Sequence, residues 1–269
     1  MTEPELRGRV ALITGANQGI GAATARALAA QGAAVLLTYL RLEPADPHPA
    51  TYHELRARSA GAVADEIRAA GGSAVAVEAD LRDPAVPGRL FDRAQAELGP
   101  VDILVNNASG WLADTFLPAE RDRFGRTLRP VTAAGVDQQF GVDVRAPALL
   151  IAEFARRHLA RGAGWGRIIG LTSGGPGGFP QEVSYGAAKA AQENYTMSAA
   201  QELGPYGVTA NMVYPPATDT GWVTPEVEAA AVAAGPLRHV AQPEEVAEVI
   251  TLLTTHRARY LTGQVIRMS

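Results

Sequence analysis

Position 189 holds the only lysine of this 269-residue chain, four residues after Tyr185, in a sequence whose other strongly basic side chains are all arginine. Residues four apart on a helix share a face, so Tyr185 and Lys189 can address one ligand. A phenol beside an ammonium is suited to moving protons. Carbonyl reduction needs a proton at the oxygen as hydride reaches the carbon, and the reverse reaction needs a base to take it back. A free tyrosine, with a pKa near ~10, is mostly the wrong species for that second task. A nearby ammonium favours the phenolate and lowers the pKa. Lysine is a compact point charge and the guanidinium a planar fork, which gives an arginine-rich chain a reason to keep one lysine here.

A second stretch, "TGANQGIG" at 14–21, brings Gly15, Gly19 and Gly21 between an apolar run and a helical one. Glycines there allow a tight turn and close approach of a pyrophosphate whose charge faces the helix N-terminus. The spacing is Gly-x3-Gly-x-Gly, not the commoner Gly-x-Gly-x-x-Gly. A glycine turn alone is weak; its place after the first strand strengthens it.

These residues need a frame. Strands are expected at 9–14, 33–39, 73–79, 101–107, 166–172, 208–214 and 263–268, alternating with helices near 20–32, 52–70, 85–98, 134–161, 183–203 and from 243 onward. Continuous apolar strands suit a parallel sheet covered on both faces, and the alternation implies repeated βαβ units. Right-handed crossovers then make an α/β doubly wound sheet with its ligand at the switch point between the first and fourth strands. Nothing marks a boundary, so residues 1–269 are expected to form a single domain. Three longer stretches, 41–52, 111–130 and 215–237, fall at the carboxyl edge of the sheet, where long loops serve ligands. Trp111 and Trp222 are candidates for an apolar wall there. The arginine-rich run 121–129, interspersed with aspartate, reads as a solvated loop.

Composition narrows the class. Hydrophobic residues are 47% and charged residues 19%, a globular balance, and a formal net charge of -4 gives no reason to expect nucleic acid or an anionic membrane as partner. The absence of cysteine excludes a disulfide framework, a thiolate metal site and a cysteine nucleophile. The five histidines show no metal-ligand spacing, so no metal is expected. No signal peptide and no apolar run of bilayer length are visible, so a cytoplasmic location is expected and the sequons at Asn107 and Asn194 read as accidental.

Taken together, "TGANQGIG", "NNAS" at 106–109, Ser173 and "YGAAK" at 185–189 resemble the short-chain dehydrogenase/reductase family, and the likeness extends to "YLTGQVIR" near the end. The resemblance implies a Rossmann-type fold with a seven-stranded parallel sheet, a nicotinamide cofactor, a small-molecule substrate and a homodimer or homotetramer. It makes Tyr185 the acid/base and Lys189 the residue that holds the nicotinamide ribose and tunes the tyrosine. A hydroxyl after the fifth strand should hold the substrate oxygen. Ser173 is one residue short of the common interval and Thr172 is at it; Ser173 is preferred, since the loop "GGPGGF" tolerates a deletion. Asp143, in "FGVDVRAP", stands where many relatives have an asparagine whose backbone carbonyl holds a relay water; a carboxylate there is expected to alter the relay or the lysine. Ser109 and Pro216 replace family glycines, and the usual "DGG" after the last strand is absent.

For the cofactor, Tyr39 rather than an acid closes the second strand, and Arg41 can pair with a 2′-phosphate, which favours NADP (NADPH) over NAD. Gln18, where many NADP users carry a second basic residue, argues the other way. Asp80 matches the carboxylate that holds the adenine amino group, with Leu81 beside it. Asn17 and Ile20 belong to the glycine turn, and Asn107, Ala108 and Ser109 should line the cofactor. After Pro215, Thr218 or Thr220 should hold the carboxamide. The expected activity interconverts a carbonyl and a secondary alcohol. Alternatives are reduction of a C=N or C=C bond, or a catalytically silent NADP-binding regulator.

Overall fold

Neighbouring apolar residues in the strands face opposite ways, so each pair demands cover on both sides of the sheet. The computed structural model, which describes residues 5–42, 50–174 and 177–269, supplies that cover. Leu12, Leu36, Leu104 and Ile168 enter one core with Phe91 and Phe154, whereas Ile13, Leu37, Val105 and Ile169 enter the other with Leu28 and Ile250.

The first half runs β1 (Val10–Thr14), α1 (Gly19–Ala30), β2 (Ala34–Tyr39), α2 (Ala50–Ala57), α3 (Gly61–Ala69), β3 (Ala74–Glu78), α4 (Val86–Glu97) and β4 (Ile103–Asn106). After a two-stranded excursion, β5 (Asp114–Thr115) and β6 (Arg129–Pro130), come α5 (Ala133–Phe140), α6 (Ala146–Ala160), β7 (Gly166–Leu171), α7 (Val183–Leu203), β8 (Val208–Tyr214), α8 (Pro225–Ala234), α9 (Pro243–Thr254) and β9 (Val265–Arg267). The main sheet has seven strands in the order β3-β2-β1-β4-β7-β8-β9. Every pairing in it is parallel. The chain winds outward from β1 and restarts at β4, which opens the crevice at the carboxyl ends of those two strands.

Two expected helices are broken, each for a local reason. The helix expected at 52–70 divides into α2 and α3. Asn17 Nδ2 donates to the carbonyls of Leu55, Arg56 and Arg58, and Ser59 Oγ accepts from the Gly61 amide, so the last turn of α2 is satisfied without continuing. The helix expected at 134–161 contains a π turn, Gly141–Arg145, where the Ala146 amide reaches back to Gly141 O. Pro147 has no N–H to offer the carbonyl of Asp143, which loosens the α ladder there. Of the proline-rich stretch 41–52, residues 43–49 lie outside the described residues, as do Gly175 and Pro176 of "GGPGGF".

The long loops carry structure of their own. Within 111–130, β5 pairs in parallel with β6. Within 215–237, Thr224 caps α8 by accepting from the Val227 amide. Among the described residues no helix is long and apolar enough to cross a membrane.

Phe154 is the largest side chain of α6 in the core, 1% exposed, with its ring stacked on His158 at 5.6 Å. Phe154→Ala is expected to lower unfolding stability by ~3–5 kcal/mol through lost burial and a residual cavity. Urea denaturation followed by circular dichroism checks this.

Candidate active site

Gly15 and Gly19 adopt left-handed φ values of 66° and 51°. A side chain at Gly21 would place its Cβ 2.2 Å from Gly15 O, and one at Gly19 would come within 2.7 Å of Thr220 Cγ2. The turn is therefore bare backbone leading into α1, whose N-terminus no side chain among the described residues caps. Unsatisfied amides at a helix start suit a phosphate oxygen. Gln18 Oε1 is buried beside them without a hydrogen-bond partner. Above the turn lies a hollow of about 320 Å³ between the ends of β1, β2 and β4. These residues fit a dinucleotide.

Asn107 fastens the turn. Its Nδ2 donates to Thr14 O at 2.8 Å and Gly15 O at 3.0 Å. Thr14 Oγ1 in turn accepts from the amides of Asn107 and Ala108, each at 3.0 Å. The asparagine side chain is thus spent on backbone, while the residue still lines the hollow. Asn17, likewise, spends its amide on α2. Ile20, Ala108, Ser109, Asp80, Leu81 and Tyr39 also line it, with Gln18 and Thr220. Asp80 accepts from the backbone and guanidinium of Arg82. Tyr39 Oη accepts from Ser59 Oγ at 2.8 Å.

Two residues expected at the glycine turn and after the second strand are not on that surface. Gly21 lies behind the turn. Arg41 is drawn away by Glu78, whose carboxylate it meets at 2.7 Å with further contacts from Nε. In its stead α2 presents Arg56, stacked 5.3 Å from the centre of the Tyr52 ring and lining the hollow. No motif marks Arg56, so sequence reasoning missed it.

A second hollow, about 780 Å³, adjoins the first and shares Ile20, Tyr52, Asn107, Ser109, Trp111 and Thr220 with it. Ser173, Tyr185, Lys189, Pro215 and Thr218 all face it. Ser173 hydrogen-bonds Tyr185. Thr172 faces the same hollow, but its amide is held by Val213 O. Lys189 Nζ lies 5.5 Å from the Tyr185 ring centre and 3.0 Å from Asp143 Oδ1. Burial pushes the Tyr185 pKa well up, the charges of Asp143 and Glu182 push the same way, and the Ser173 hydrogen bond opposes them.

The helix that carries Tyr185 and Lys189 is anchored at its start from a distance. Asp114, on the short β5, accepts from the Ser184 amide at 2.8 Å, which puts a carboxylate at the α7 N-terminus. Ahead of it Gln181 sits at a left-handed φ of 69°, a strained setting for a residue with a side chain. Glu182 then accepts from Trp111 Nε1 at 3.1 Å and from Arg126 at 2.7 Å. Arg126 also meets Asp122 at 2.5 Å and lies among the rings of Trp111, Phe124 and Trp222. The 121–129 run is therefore not simply solvated. Its central arginine is folded into the wall, already matched by two carboxylates.

A family model described as enoyl-(acyl carrier protein) reductase matches residues 15–269. The chain is 36% identical over 262 residues to a cis-4-hydroxycyclohexanecarboxylate dehydrogenase of Sinomonas cyclohexanicum, covering 96% of this chain and 94% of that one. It is also similar to a crystal structure of a short-chain dehydrogenase from Burkholderia cenocepacia in complex with NADP, at 30% identity and a TM-score of 0.81 over 98% of each chain. An angucycline C-6 ketoreductase, LanV, crystallised with NADP, gives 29% identity and a TM-score of 0.79 over 98% of this chain and 95% of that one. With a parallel seven-stranded sheet, a bare glycine turn and a tyrosine–lysine pair at one crevice, the chain belongs to the short-chain dehydrogenase/reductase family of NAD(P)-dependent oxidoreductases.

Proposed function

We propose that the protein is an NADPH-dependent reductase of ketones, with Tyr185 as the proton donor. The observation that carries this is the single crevice in which Ser173, Tyr185 and Lys189 adjoin the glycine turn. An angucycline C-6 ketoreductase and a short-chain dehydrogenase, both crystallised with NADP, and a relative named as a cis-4-hydroxycyclohexanecarboxylate dehydrogenase support the reading. The bound nicotinamide would supply the hydride. Ser173 Oγ and Tyr185 Oη hold the carbonyl oxygen from one side, and the phenol gives it a proton as negative charge develops. Lys189 offers an N–H toward the cofactor ribose and Tyr185. The glycine-turn amides and the α1 N-terminus would take the phosphates, and Arg56 would take the 2′-phosphate in place of Arg41.

Trp111, Phe124, Phe179 and Trp222 supply flat apolar walls. Arg126 has no charge to spare for an anionic substrate, being paired to Asp122 and Glu182. A cyclic, uncharged ketone suits such walls. A second reading, reduction of an activated C=C bond, is favoured by the description of the matching family model. An enone as substrate separates the two: an allylic alcohol supports the first reading, a saturated ketone the second.

With NADPH and a tetralone as substrate, Tyr185→Phe is expected to lower kcat/KM by about 10³-fold, a typical worth of a positioned acid. Its NADPH affinity, followed by fluorescence titration, should change by less than about twofold; full turnover in this variant contradicts the assigned donor. Arg56→Ala is expected to raise the Kd for NADPH by about tenfold, the worth of one charge-assisted hydrogen bond, and to leave that for NADH alone. The same titration on Arg41→Ala should show the smaller effect, and the reverse order overturns the assignment of Arg56.

A further inference from the structure

Asp143 is a fully buried acid on the π turn, pressed against the one lysine of the chain. Its Oδ1 is 3.0 Å from Lys189 Nζ, and the lysine side chain is itself 2% exposed. Oδ2 accepts from the Gly110 amide and from Gln139 Nε2, each at 2.7 Å. Gln192 Oε1 takes an N–H of the same ammonium at 3.1 Å, whereas Asp143 Oδ1 meets it as a charge contact without a hydrogen bond. An ammonium has three donors, and those not given to Gln192 are left for the crevice that Lys189 lines.

This arrangement changes what the lysine does for the tyrosine. A lone ammonium near a phenol favours the phenolate, but an ammonium with a carboxylate at contact presents only a dipole, whose influence falls off faster. The other charged and titratable groups near Tyr185 do not restore it. Glu182, just before α7, is negative and matched by Arg126 of the 111–130 loop. Tyr52 reaches in from α2. On the outer side of the π turn, Arg145 donates to Arg82 O and lies away from the crevice.

We propose that Asp143 is a positioning residue acting through Lys189: by pairing with the ammonium it keeps Tyr185 a phenol through neutral and mildly alkaline pH, which sets the site to donate a proton in reduction rather than to accept one in oxidation. This rests on Tyr185 as the acid/base. The burial of Tyr185 and the charge of Asp143 both act in this direction. The same carboxylate fixes the Gly110 amide, so the start of the substrate loop and the lysine share one anchor.

The test is a titration that needs no turnover. The near-ultraviolet phenolate signal of Tyr185 is obtained as the difference between the wild-type protein and Tyr185→Phe, both with NADP+ bound, as pH is raised. In the wild type the signal should appear only above about pH 10, the range of an unassisted tyrosine or higher. In Asp143→Asn, with the ammonium released and the negative charge gone, it should move down by at least about one pH unit. A superposable titration in Asp143→Asn overturns the proposal, and so does a wild-type phenolate that forms below about pH 9. If Asp143→Asn fails to fold by circular dichroism, Asp143→Ser takes its place, with the same downward move expected and a superposable curve overturning the proposal. A purely structural role for Asp143 would not move the phenolate titration of a folded variant whose NADPH affinity is retained. Failure of the acid/base assignment itself reads differently, as turnover surviving in Tyr185→Phe.

Discussion

Beneath the crevice, three elements of the fold meet at the carboxylate of Asp143. Two hydrogen bonds and an ion pair join it to the loop after β4 (Gly110), the preceding helix turn (Gln139) and α7 (Lys189). Buried ion pairs are costly unless well supplied with hydrogen bonds, and this one is. The π turn makes it possible, because the widened ladder around Pro147 sets Asp143 where α7 passes. A backbone irregularity, a buried charge and the helix that carries Tyr185 are thus one connected feature.

The sheet supplies the rest of the geometry by stopping. β1 ends in a turn that only glycine can follow, β4 ends in Asn106 and the asparagine that ties that turn, and β7 ends just before the hydroxyls of Thr172 and Ser173. Each strand delivers one functional group to the same edge, and α1 and α7 start there, α1 without a side-chain cap and α7 with a carboxylate at its N-terminus. The apolar pairs that bury both faces are what hold these ends in line.

Much of this was legible in the sequence. Apolar doublets such as Leu12–Ile13 and Ile168–Ile169 are local signals, and all seven strands form where those runs occur. The glycine turn and the Tyr185–Lys189 spacing were legible for the same reason. What was not legible depends on partners far along the chain. Arg126 meets Glu182, 56 residues later, and Arg41 meets Glu78, 37 residues later. Neither distance leaves a pattern, so one arginine was read as solvated and the other as a phosphate ligand. Asp143 stood out as a departure, but only the fold reveals that its partner is the lysine itself.

The grip of Asn17 on the end of α2 has a broader result. That short helix also lies against Gly221, where Leu55 Cδ1 would be 2.9 Å from an added Cβ, and its Tyr52 faces both hollows. The two hollows are therefore roofed by the same eight-residue segment. Loosening that segment unsettles both compartments together, so affinity for one molecule cannot be tuned at α2 without being felt by the other.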